Sequence, residues 1–458
     1  MNRIKSSFRD PSGFVFIKDG VLYRSISPYY KEHYGHAVTS GLYDQLMSKK
    51  MLIPHHEVDN TEHSAEIYKI IAPEKIPFIS YPYEWCFGEL KDAALLTLEI
   101  QKLALEKNMS LKDASAYNIQ FRQGRPIFID TLSFEKYEDG SPWQGYRQFC
   151  QHFLAPLVLM SYCDLRSNQL SRIFMDGIPL DLASSLLPVR SFFSPSIVSH
   201  IHLHAKSQWK YANDTGHSMG RAIHIPRKNL MAFIHYLESF VQKLKPRKQH
   251  AEWQHYYGNT NYSDSAFELK KKIVEDFLQI IKPATAWDMG ANSGEFSRVA
   301  SGLGIDTISF DVDPVAVEIN YLETKKRNEK NLLPLVLDVT NPSPAIGWNN
   351  EERLSLIERN NADIILALAL VHHLAISNNF PLGMIAEYFH RISPRLIIEF
   401  IPKDDSQVRR LLASRKDIFP DYTEEKFEEE FGTYFLIKQK REIGGSKRRL
   451  YLMTRKND

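Results

Sequence analysis

The stretch ATAWDMGANSGEFS, residues 284–297, decides the fold of the C-terminal half of this chain. Its apolar beginning predicts a short buried strand, and a helical pattern starts after Gly294. Gly290 and Gly294 lack a Cβ, so the backbone between strand and helix can turn tightly and approach a ligand closely. The helix N-terminus offers amide donors at the same turn. Asp288 adds a carboxylate just before the turn, which argues against a phosphate ligand and for a cationic group.

Two further carboxylates follow at the ends of the next two predicted strands. TISFDVD predicts a strand that ends in Asp311, and LLPLVLDV predicts one that ends near Asp338. An acid roughly twenty residues beyond such a glycine turn suits the hydroxyl pair of a ribose. Open parallel sheets bind ligands at the carboxyl ends of their strands, so we expect Asp288, Asp311 and Asp338 to face one site.

The rest of residues 250–458 alternates strand and helix patterns. The strands have continuous apolar runs, which are typical of a sheet covered by helices on both faces. Strand–helix alternation predicts a doubly wound parallel sheet. The segments TYFLIKQKREI and RRLYLMTR flank Gly444, Gly445 and Ser446, a hairpin signal that adds an antiparallel edge. We therefore predict an α/β, Rossmann-like, doubly wound sheet of seven strands.

These motifs resemble the class I S-adenosylmethionine (SAM)-dependent methyltransferases. The resemblance covers about residues 250–458 and includes the strand order with its terminal hairpin. A nicotinamide-binding Rossmann enzyme would carry G-x-G-x-x-G and phosphate-friendly surroundings. This chain has D-x-G-x-x-x-G instead, starting at Asp288. The motif therefore favours methyl transfer over hydride transfer.

The resemblance implies SAM as cofactor and a set of residues that bind it: Asp288, Gly290, Asn292, Gly294, Asp311 and Asp338. It implies that Asp288 binds the amino group of the methionine part of SAM and that the glycine turn lines the methionine and ribose parts of the cofactor. It further implies that Asp311 holds the ribose hydroxyls and that Asp338 lies beside the adenine amino group.

Two histidines follow the fourth predicted strand. The pattern ADIILALALV predicts a strand up to Val371, so that His372 and His373 lie at the catalytic rim. The N-P-P-Y motif, with which similar enzymes grip a planar amine or amide, is absent after this strand. An imidazole there could take a proton from a hydroxyl as the methyl group arrives. Alternatively, one histidine caps the strand through a backbone hydrogen bond, and methyl transfer proceeds by proximity alone.

Two other features near this edge have two interpretations each. Glu399 interrupts the apolar strand RLIIEFI. A buried carboxylate needs a partner, so Glu399 is either a substrate-binding group or half of a structural ion pair. The aromatic segment before the first helix carries Tyr256, Tyr257 and Tyr262, which either close over the cofactor or pack over the sheet.

The N-terminal half carries a different pattern in LKDASAYNIQFRQGRPIFIDTLSFE, residues 111–135. Asp113 precedes Asn118 by five positions, two strand-like runs flank Gly124, and Asp130 ends the second run. This pattern resembles the catalytic loop and metal-binding Asp of the protein kinase and aminoglycoside phosphotransferase superfamily. The resemblance implies an α+β kinase-like domain in which Asp113 orients an acceptor hydroxyl. Asn118 and Asp130 would hold magnesium, with ATP as a second cofactor.

The N-terminal half departs from that superfamily at two elements. It has no G-x-G-x-x-G loop, and the V-A-I-K lysine is missing, so Arg24 or Lys18 would take its place. The alternative is a helix, a turn rich in Asp and Asn, and a hairpin that only fold together, because both residue types are favoured in turns.

Composition excludes several classes of protein. Of the 458 residues, 43% are hydrophobic, which is too many for a disordered chain. With 57 basic and 55 acidic residues, the formal charge of +2 demands neither nucleic acid nor an anionic membrane, and we find no nucleic-acid-binding module. The three cysteines lack metal-type spacing, and no apolar run reaches the roughly 18 residues of a bilayer span. The N-terminus lacks a secretory pattern, which favours a cytoplasmic protein.

We predict three segments: a kinase-like domain over residues 1–185, a helical connector over 186–249 and a methyltransferase domain over 250–458. The predicted function is SAM-dependent methyl transfer to an oxygen of a small-molecule or glycan acceptor. A bifunctional enzyme that phosphorylates and methylates the same substrate is one alternative. The other is a methyltransferase with a pseudokinase-like binding domain. The sequence predicts no oligomeric state.

Overall fold

The chain folds into two units, one made of Met1–Gln249 and Ala345–Arg353 and the other of His250–Pro344 and Leu354–Asp458. This computed structural model describes residues 2–59, 64–206, 224–247, 264–413 and 416–456. Among these residues, no helix is both long enough and apolar enough to span a bilayer.

Short strands and helices make up the first unit. Its described strands are β1 (Asn2–Arg3), β2 (Val15–Lys18), β3 (Val21–Ile26), β4 (His55–Val58), β5 (Lys69–Pro73), β6 (Met109–Leu111), β7 (Ile119–Arg122), β8 (Arg125–Phe128) and β9 (Phe134–Lys136). The first five form an antiparallel sheet in the order β1-β2-β3-β5-β4. Strand β6 pairs with β9, and β7 pairs with β8 in the hairpin predicted around Gly124.

The described α-helices of the first unit are Lys31–Thr39, Leu42–Ser48, Phe87–Glu106, Tyr146–Phe149, Ala155–Tyr162, Leu170–Ile173, Leu180–Leu186, Pro195–Ile197 and Arg227–Lys243. The longest, Phe87–Glu106, begins where Glu89 accepts a hydrogen bond from the Cys86 amide at 2.8 Å. A carboxylate in the first helical turn satisfies an amide that has no partner within the helix. The predicted kinase-like architecture of this unit stays a prediction.

The second unit contains a seven-stranded sheet. Its strands are β10 (Thr285–Met289), β11 (Asp306–Asp311), β12 (Leu332–Val336), β13 (Ile364–Ala367), β14 (Arg395–Phe400), β15 (Phe435–Glu442) and β16 (Arg449–Arg455). The order is β12-β11-β10-β13-β14-β16-β15. Strands β10 to β14 pair in parallel, and β15 and β16 add an antiparallel edge. The predicted seven-stranded α/β sheet and its terminal hairpin are confirmed.

Helices link the parallel strands of this sheet. The described α-helices of the second unit are Asp264–Ile281, Glu295–Gly302, Pro314–Arg327, Leu382–Ile392, Ser406–Ala413 and Glu424–Tyr434. The apolar face of Asp264–Ile281, with Val274 and Phe277, packs in one core with Ala286, Leu366 and residues of β14 and β16. The order of the parallel strands reverses between β10 and β13, which opens a crevice at their carboxyl ends.

The fourth parallel strand is shorter than its apolar pattern predicts. Strand β13 ends at Ala367, so the predicted strand up to Val371 is wrong. Ala369 has a φ of +51°, and its amide donates a 2.8 Å hydrogen bond to the Glu399 carboxylate. The chain leaves the sheet at this turn. A π-helical turn, His373–Ser377, follows, a conformation that often marks functional sites.

Candidate functional site

A cavity of about 410 Å³ lies at the carboxyl ends of strands β10 to β13. The predicted site residues that line it are Asp288, Gly290, Asn292, Asp311, Asp338 and His373. Gly294 and His372 are not among its lining residues. Tyr256, Tyr257 and Tyr262, which the sequence offered as a cover for the cofactor, lie outside the described residues.

Asp288 lies on β10, between Ser309 of β11 and Leu366 of β13, with only 2% of its surface exposed. The Ser297 hydroxyl donates a 2.6 Å hydrogen bond to its carboxylate. Burial raises the pKa of Asp288 to about 7, although the Ser297 bond and the nearby Lys270 ammonium both lower it. A buried carboxylate of this kind favours a cationic ligand, because the ligand's charge offsets the cost of burying the anion.

The two glycines of the turn have different roles. Gly290 has a φ of +79° and lines the cavity, and an added Cβ would lie 3.3 Å from Leu370. Gly294 has a φ of +83° and caps the helix Glu295–Gly302. A Cβ at Gly294 would lie 2.4 Å from the side-chain oxygen of Asn320. Gly294 therefore allows the helix to pack, whereas Gly290 keeps the backbone close to the ligand space.

The end of β11 is tied to the glycine turn by backbone amides. The Asn292 amide donates a 2.7 Å hydrogen bond to the Asp311 carboxylate, and the Asp313 amide donates another at 2.9 Å. Burial raises the pKa of Asp311 to about 6, although both amide bonds lower it. A carboxylate held by two amides keeps acceptor capacity for a pair of hydroxyls.

Asp338 follows the end of β12 and lines the cavity. Its Oδ1 accepts hydrogen bonds from the Thr340 amide at 2.8 Å and from the Thr340 hydroxyl at 2.7 Å. These two bonds fix the carboxylate at the third strand end. The three predicted acids therefore lie around one cavity.

The two histidines occupy different environments. His373 lines the cavity, and burial lowers its pKa to about 4. His372 is 1% exposed, and neither of its ring nitrogens has a hydrogen-bond partner among the described residues. Burial and the neighbouring His373 lower its pKa well below the usual value. The two ring centroids are 4.1 Å apart, and both imidazoles are neutral at physiological pH.

Lys270 is a cavity-lining residue that the sequence did not single out. Its Nζ donates a 2.7 Å hydrogen bond to Glu399, and this buried ion pair accounts for the carboxylate within β14. One sequence signal could have found it. Lys270 falls at helical spacing among the apolar residues Phe267, Val274 and Phe277, where a surface lysine is not expected.

The residues predicted to form a kinase-like site lie in one polar cluster of the first unit. Asn118 donates a 3.3 Å hydrogen bond to the Ser133 hydroxyl, which in turn donates one to Asp130 at 2.6 Å. Asp130 also forms a 2.7 Å ion pair with Arg24. Burial and the nearby Asp130 carboxylate raise the pKa of Asp113. The binding of magnesium or ATP by this cluster stays a prediction.

Comparison with known proteins gives one relative over the full length of this chain. No family model matches the chain. The nodulation protein NoeA of Rhizobium meliloti (strain 1021) is 38% identical over 461 residues, covering 99% of this chain and 96% of NoeA. The similarity to NoeA therefore includes both units.

Solved structures match a smaller part of the chain. The PH0226 protein of Pyrococcus horikoshii OT3 is 15% identical, with a TM-score of 0.32, covering 44% of this chain and 99% of that chain. Magnesium protoporphyrin IX methyltransferase of Synechocystis PCC 6803, with bound SAH, is 14% identical with a TM-score of 0.31. The match covers 44% of this chain and 92% of that chain. WbdD is 14% identical with a TM-score of 0.30, and the match covers 48% of this chain and 46% of that chain.

Replacing Asp288 with Asn should stabilise the cofactor-free protein at pH 8. Because the pKa of Asp288 is about 7 in the folded protein and lower in the unfolded chain, the carboxylate makes folding less favourable as the pH rises between these values. The Asn amide avoids this loss and still accepts the Ser297 hydroxyl. The gain in unfolding free energy, measured in urea, should be on the order of 1–4 kcal/mol at pH 8 and vanish near pH 4.

The matched control is Asp306→Asn, at the exposed beginning of β11, which should change the unfolding free energy by less than about 0.5 kcal/mol. A variant at Asp288 that is less stable than the parent at pH 8 would contradict the assigned pKa.

Proposed function

This chain belongs to the family of the nodulation protein NoeA, and we propose that it is a methyltransferase that uses SAM. One observation carries the proposal. Three carboxylates at the ends of neighbouring parallel strands, Asp288, Asp311 and Asp338, line the same cavity as the glycine turn. Carboxylates in this arrangement suit a ligand with a cationic amine, a ribose diol and an exocyclic amino group.

The three carboxylates of the cavity each match one polar group of SAM. Asp288, buried and bonded to Ser297, would hold the methionine amino group. Asp311, fixed by the Asn292 amide, would accept hydrogen bonds from the ribose hydroxyls. Asp338 would accept one from the adenine amino group. The bound cofactor supplies an electrophilic methyl group, and the protein supplies orientation and a dry cavity.

The proposed acceptor is a hydroxyl of a small molecule or a glycan. His373 lines the cavity at the π-helical turn, together with Ser377 and Asn378. A neutral imidazole has one lone pair that accepts a hydrogen bond, so His373 would orient the acceptor hydroxyl. Its pKa of about 4 makes it a weak base, since efficient bases titrate near the working pH. His373 would therefore act mainly by positioning the oxygen.

The cofactor assignment predicts a specific loss of binding. Calorimetric titration with S-adenosylhomocysteine should show no binding to Asp288→Ala, and Asp311→Ala should bind more weakly by about 1–3 kcal/mol because a buried hydrogen-bonding partner is lost. Asp306→Ala is the control, because Asp306 begins the strand that Asp311 ends, and its affinity should not change. Unchanged affinity of Asp288→Ala would remove the assignment of the glycine turn, and a parent protein without affinity would contradict the proposed function.

The role proposed for His373 predicts a loss of turnover without a loss of cofactor. Methyl transfer from labelled SAM is measured on a panel of hydroxylated small molecules and oligosaccharides. With the best acceptor, His373→Ala should reduce kcat by up to about a hundredfold, because the oxygen is no longer held in line. Affinity for S-adenosylhomocysteine should stay unchanged. Full turnover of a variant that lacks both His372 and His373 would exclude any role of either imidazole in the reaction.

A second function is favoured by the polar cluster of the first unit, and we propose it as the alternative. Asn118, Ser133, Asp130 and Arg24 form a continuous set of hydrogen bonds and an ion pair beside Asp113. Such a cluster offers oxygen ligands for magnesium and a cation for a phosphate. The enzyme would then phosphorylate and methylate one substrate.

Calorimetric titration with ATP and magnesium tests this alternative. Binding should require magnesium and should disappear in Asp130→Ala, because a metal ligand and the partner of Arg24 are lost together. Asp139→Ala, whose side chain is 73% exposed, is the control and should bind as the parent does. Absence of binding to the parent would contradict this alternative.

A further inference from the structure

The first unit exposes an apolar turn, which consists of Leu186 and the short 3₁₀ helix Val189–Phe193. Phe193 is 85% exposed and Val189 is 78% exposed, while Phe192 and Leu186 are about half exposed. Val189 and Phe192 lie three residues apart, the spacing that brings side chains to one side of a 3₁₀ helix. Single exposed apolar residues are ordinary on a folded protein, whereas four of them within eight residues form a patch of the kind that marks interaction sites.

Polar bonds on the inner side hold the apolar turn in place. A 2.9 Å hydrogen bond joins the buried Ser191 hydroxyl to Nε2 of His202, and a 2.7 Å bond joins Nδ1 of His202 to the Ser184 hydroxyl. His202 is itself buried, and its ring stacks on Phe192 with the centroids 3.9 Å apart. The turn therefore presents its apolar side chains from a backbone that an interaction partner need not order.

The charges within and beside the apolar turn are basic. The chain has no aspartate or glutamate between Asp181 and Lys206, and Asp181 lies in the first turn of the helix that leads to the apolar turn. Arg190 donates a 2.8 Å hydrogen bond to the Tyr162 carbonyl, and Arg247 donates one to the same carbonyl at 3.2 Å. Among the described residues, neither arginine forms an ion pair. Both keep their positive charge available to an anionic partner.

One acid lies beside these arginines, and it is already paired. Asp164 follows Cys163, whose carbonyl also accepts a hydrogen bond from Arg247. Arg166 donates two bonds to the Asp164 carboxylate, at 2.8 and 2.9 Å. The Cys163 thiol donates a 3.4 Å bond to the carbonyl of Leu186, so this basic rim adjoins the apolar turn.

The size of the patch favours a lipid surface over a second copy of the chain. An aromatic side chain presents at most about 250 Å², and the four apolar side chains are only partly exposed. The patch therefore falls short of the roughly 800 Å² that each partner of a stable dimer buries. A bilayer needs no complementary shape, because each apolar side chain that enters it leaves water by itself. Basic residues beside such side chains attract anionic head groups.

We propose that the apolar turn inserts into the surface of a bilayer that contains anionic lipids. Phe193 and Val189 enter the boundary between head groups and acyl chains, while Arg190 and Arg247 lie at the lipid phosphates. The apolar and the basic contributions are each weak and together give reversible binding. The inference is independent of the function proposed above, because the turn belongs to the first unit and the cavity residues belong to the second.

Co-sedimentation of the full chain with lipid vesicles tests the inference. One set of vesicles contains equal parts of phosphatidylglycerol and phosphatidylcholine, and the other contains phosphatidylcholine alone. The protein should bind the anionic vesicles about tenfold more tightly, because each basic residue near the surface adds to the attraction. Added salt should weaken this binding, since it screens the charges.

Variants of the turn separate its apolar and basic contributions. Phe193→Ser should weaken binding to anionic vesicles by about tenfold, whereas Phe193→Trp should bind at least as tightly as the parent. Arg190→Gln should lose about fivefold on anionic vesicles and change nothing on phosphatidylcholine. Tyr29→Ser is the control, because Tyr29 is 71% exposed on another 3₁₀ helix of the same unit, and it should bind as the parent does. Since these side chains are exposed, the urea midpoint of each variant should match the parent.

Three results would overturn the inference. The first is a parent that binds neither kind of vesicle or binds both equally well, since the partner would then not be an anionic surface. The second is a Phe193→Ser variant that binds anionic vesicles as tightly as the parent. The third is a dimeric parent, seen by sedimentation velocity, that Phe193→Ser converts to a monomer, because a second copy of the chain would then cover the turn.

Discussion

The buried carboxylate of Asp288 is the constraint around which the second unit is arranged. It lies in the central one of the five parallel strands of the sheet, where water is excluded and an anion is costly. One serine hydroxyl and one nearby lysine offset part of that cost, yet the pKa of Asp288 still rises to about 7. A protein keeps such a group where a ligand completes its environment. In the proposed function, the cationic amine of SAM completes the environment of Asp288.

The strand order places a crevice beside the Asp288 carboxylate. Strand β10 lies between β11 and β13, and the strand order reverses at this point, so the loops at the carboxyl ends diverge and leave a crevice. Hydrogen bonds between neighbouring elements then fix the crevice. The Asn292 amide reaches Asp311, and Asn320, which packs against Gly294, donates to Ser309 on β11. Hydroxyl and backbone amide donors thus hold the three acids in place, and the ligand need not order them.

The sequence predicts this part of the molecule well because its signals are local. The glycine turn at Gly290, the acids at Asp311 and Asp338 and the apolar strands each depend on a few consecutive residues, and parallel pairing brings the strand ends together. The break at Ala369 could not be predicted, because a carboxylate thirty positions away, Glu399, takes its amide. The same long-range contact conceals Lys270, whose burial depends on a partner that only the folded sheet supplies.

The two histidines, His372 and His373, show the same limit of prediction from local sequence. Their adjacent positions gave no reason to separate them, but the π-helical turn brings His373 to the cavity and buries His372. In the first unit, the spacing of Asp113, Asn118 and Asp130 indicated a shared cluster, while the bond through Ser133 and the ion pair to Arg24 depend on tertiary packing. The sequence therefore indicates which chemical groups are present near the site, but it does not show which of them reach the cavity.

The most direct measurement is a crystal structure of the protein with S-adenosylhomocysteine. The amino group of the ligand should lie within hydrogen-bond distance of the Asp288 carboxylate, with its ribose hydroxyls at Asp311 and its adenine beside Asp338. A ligand bound elsewhere, or bound in this cavity with its amino group remote from Asp288, would contradict the central claim that this buried carboxylate organises a SAM site.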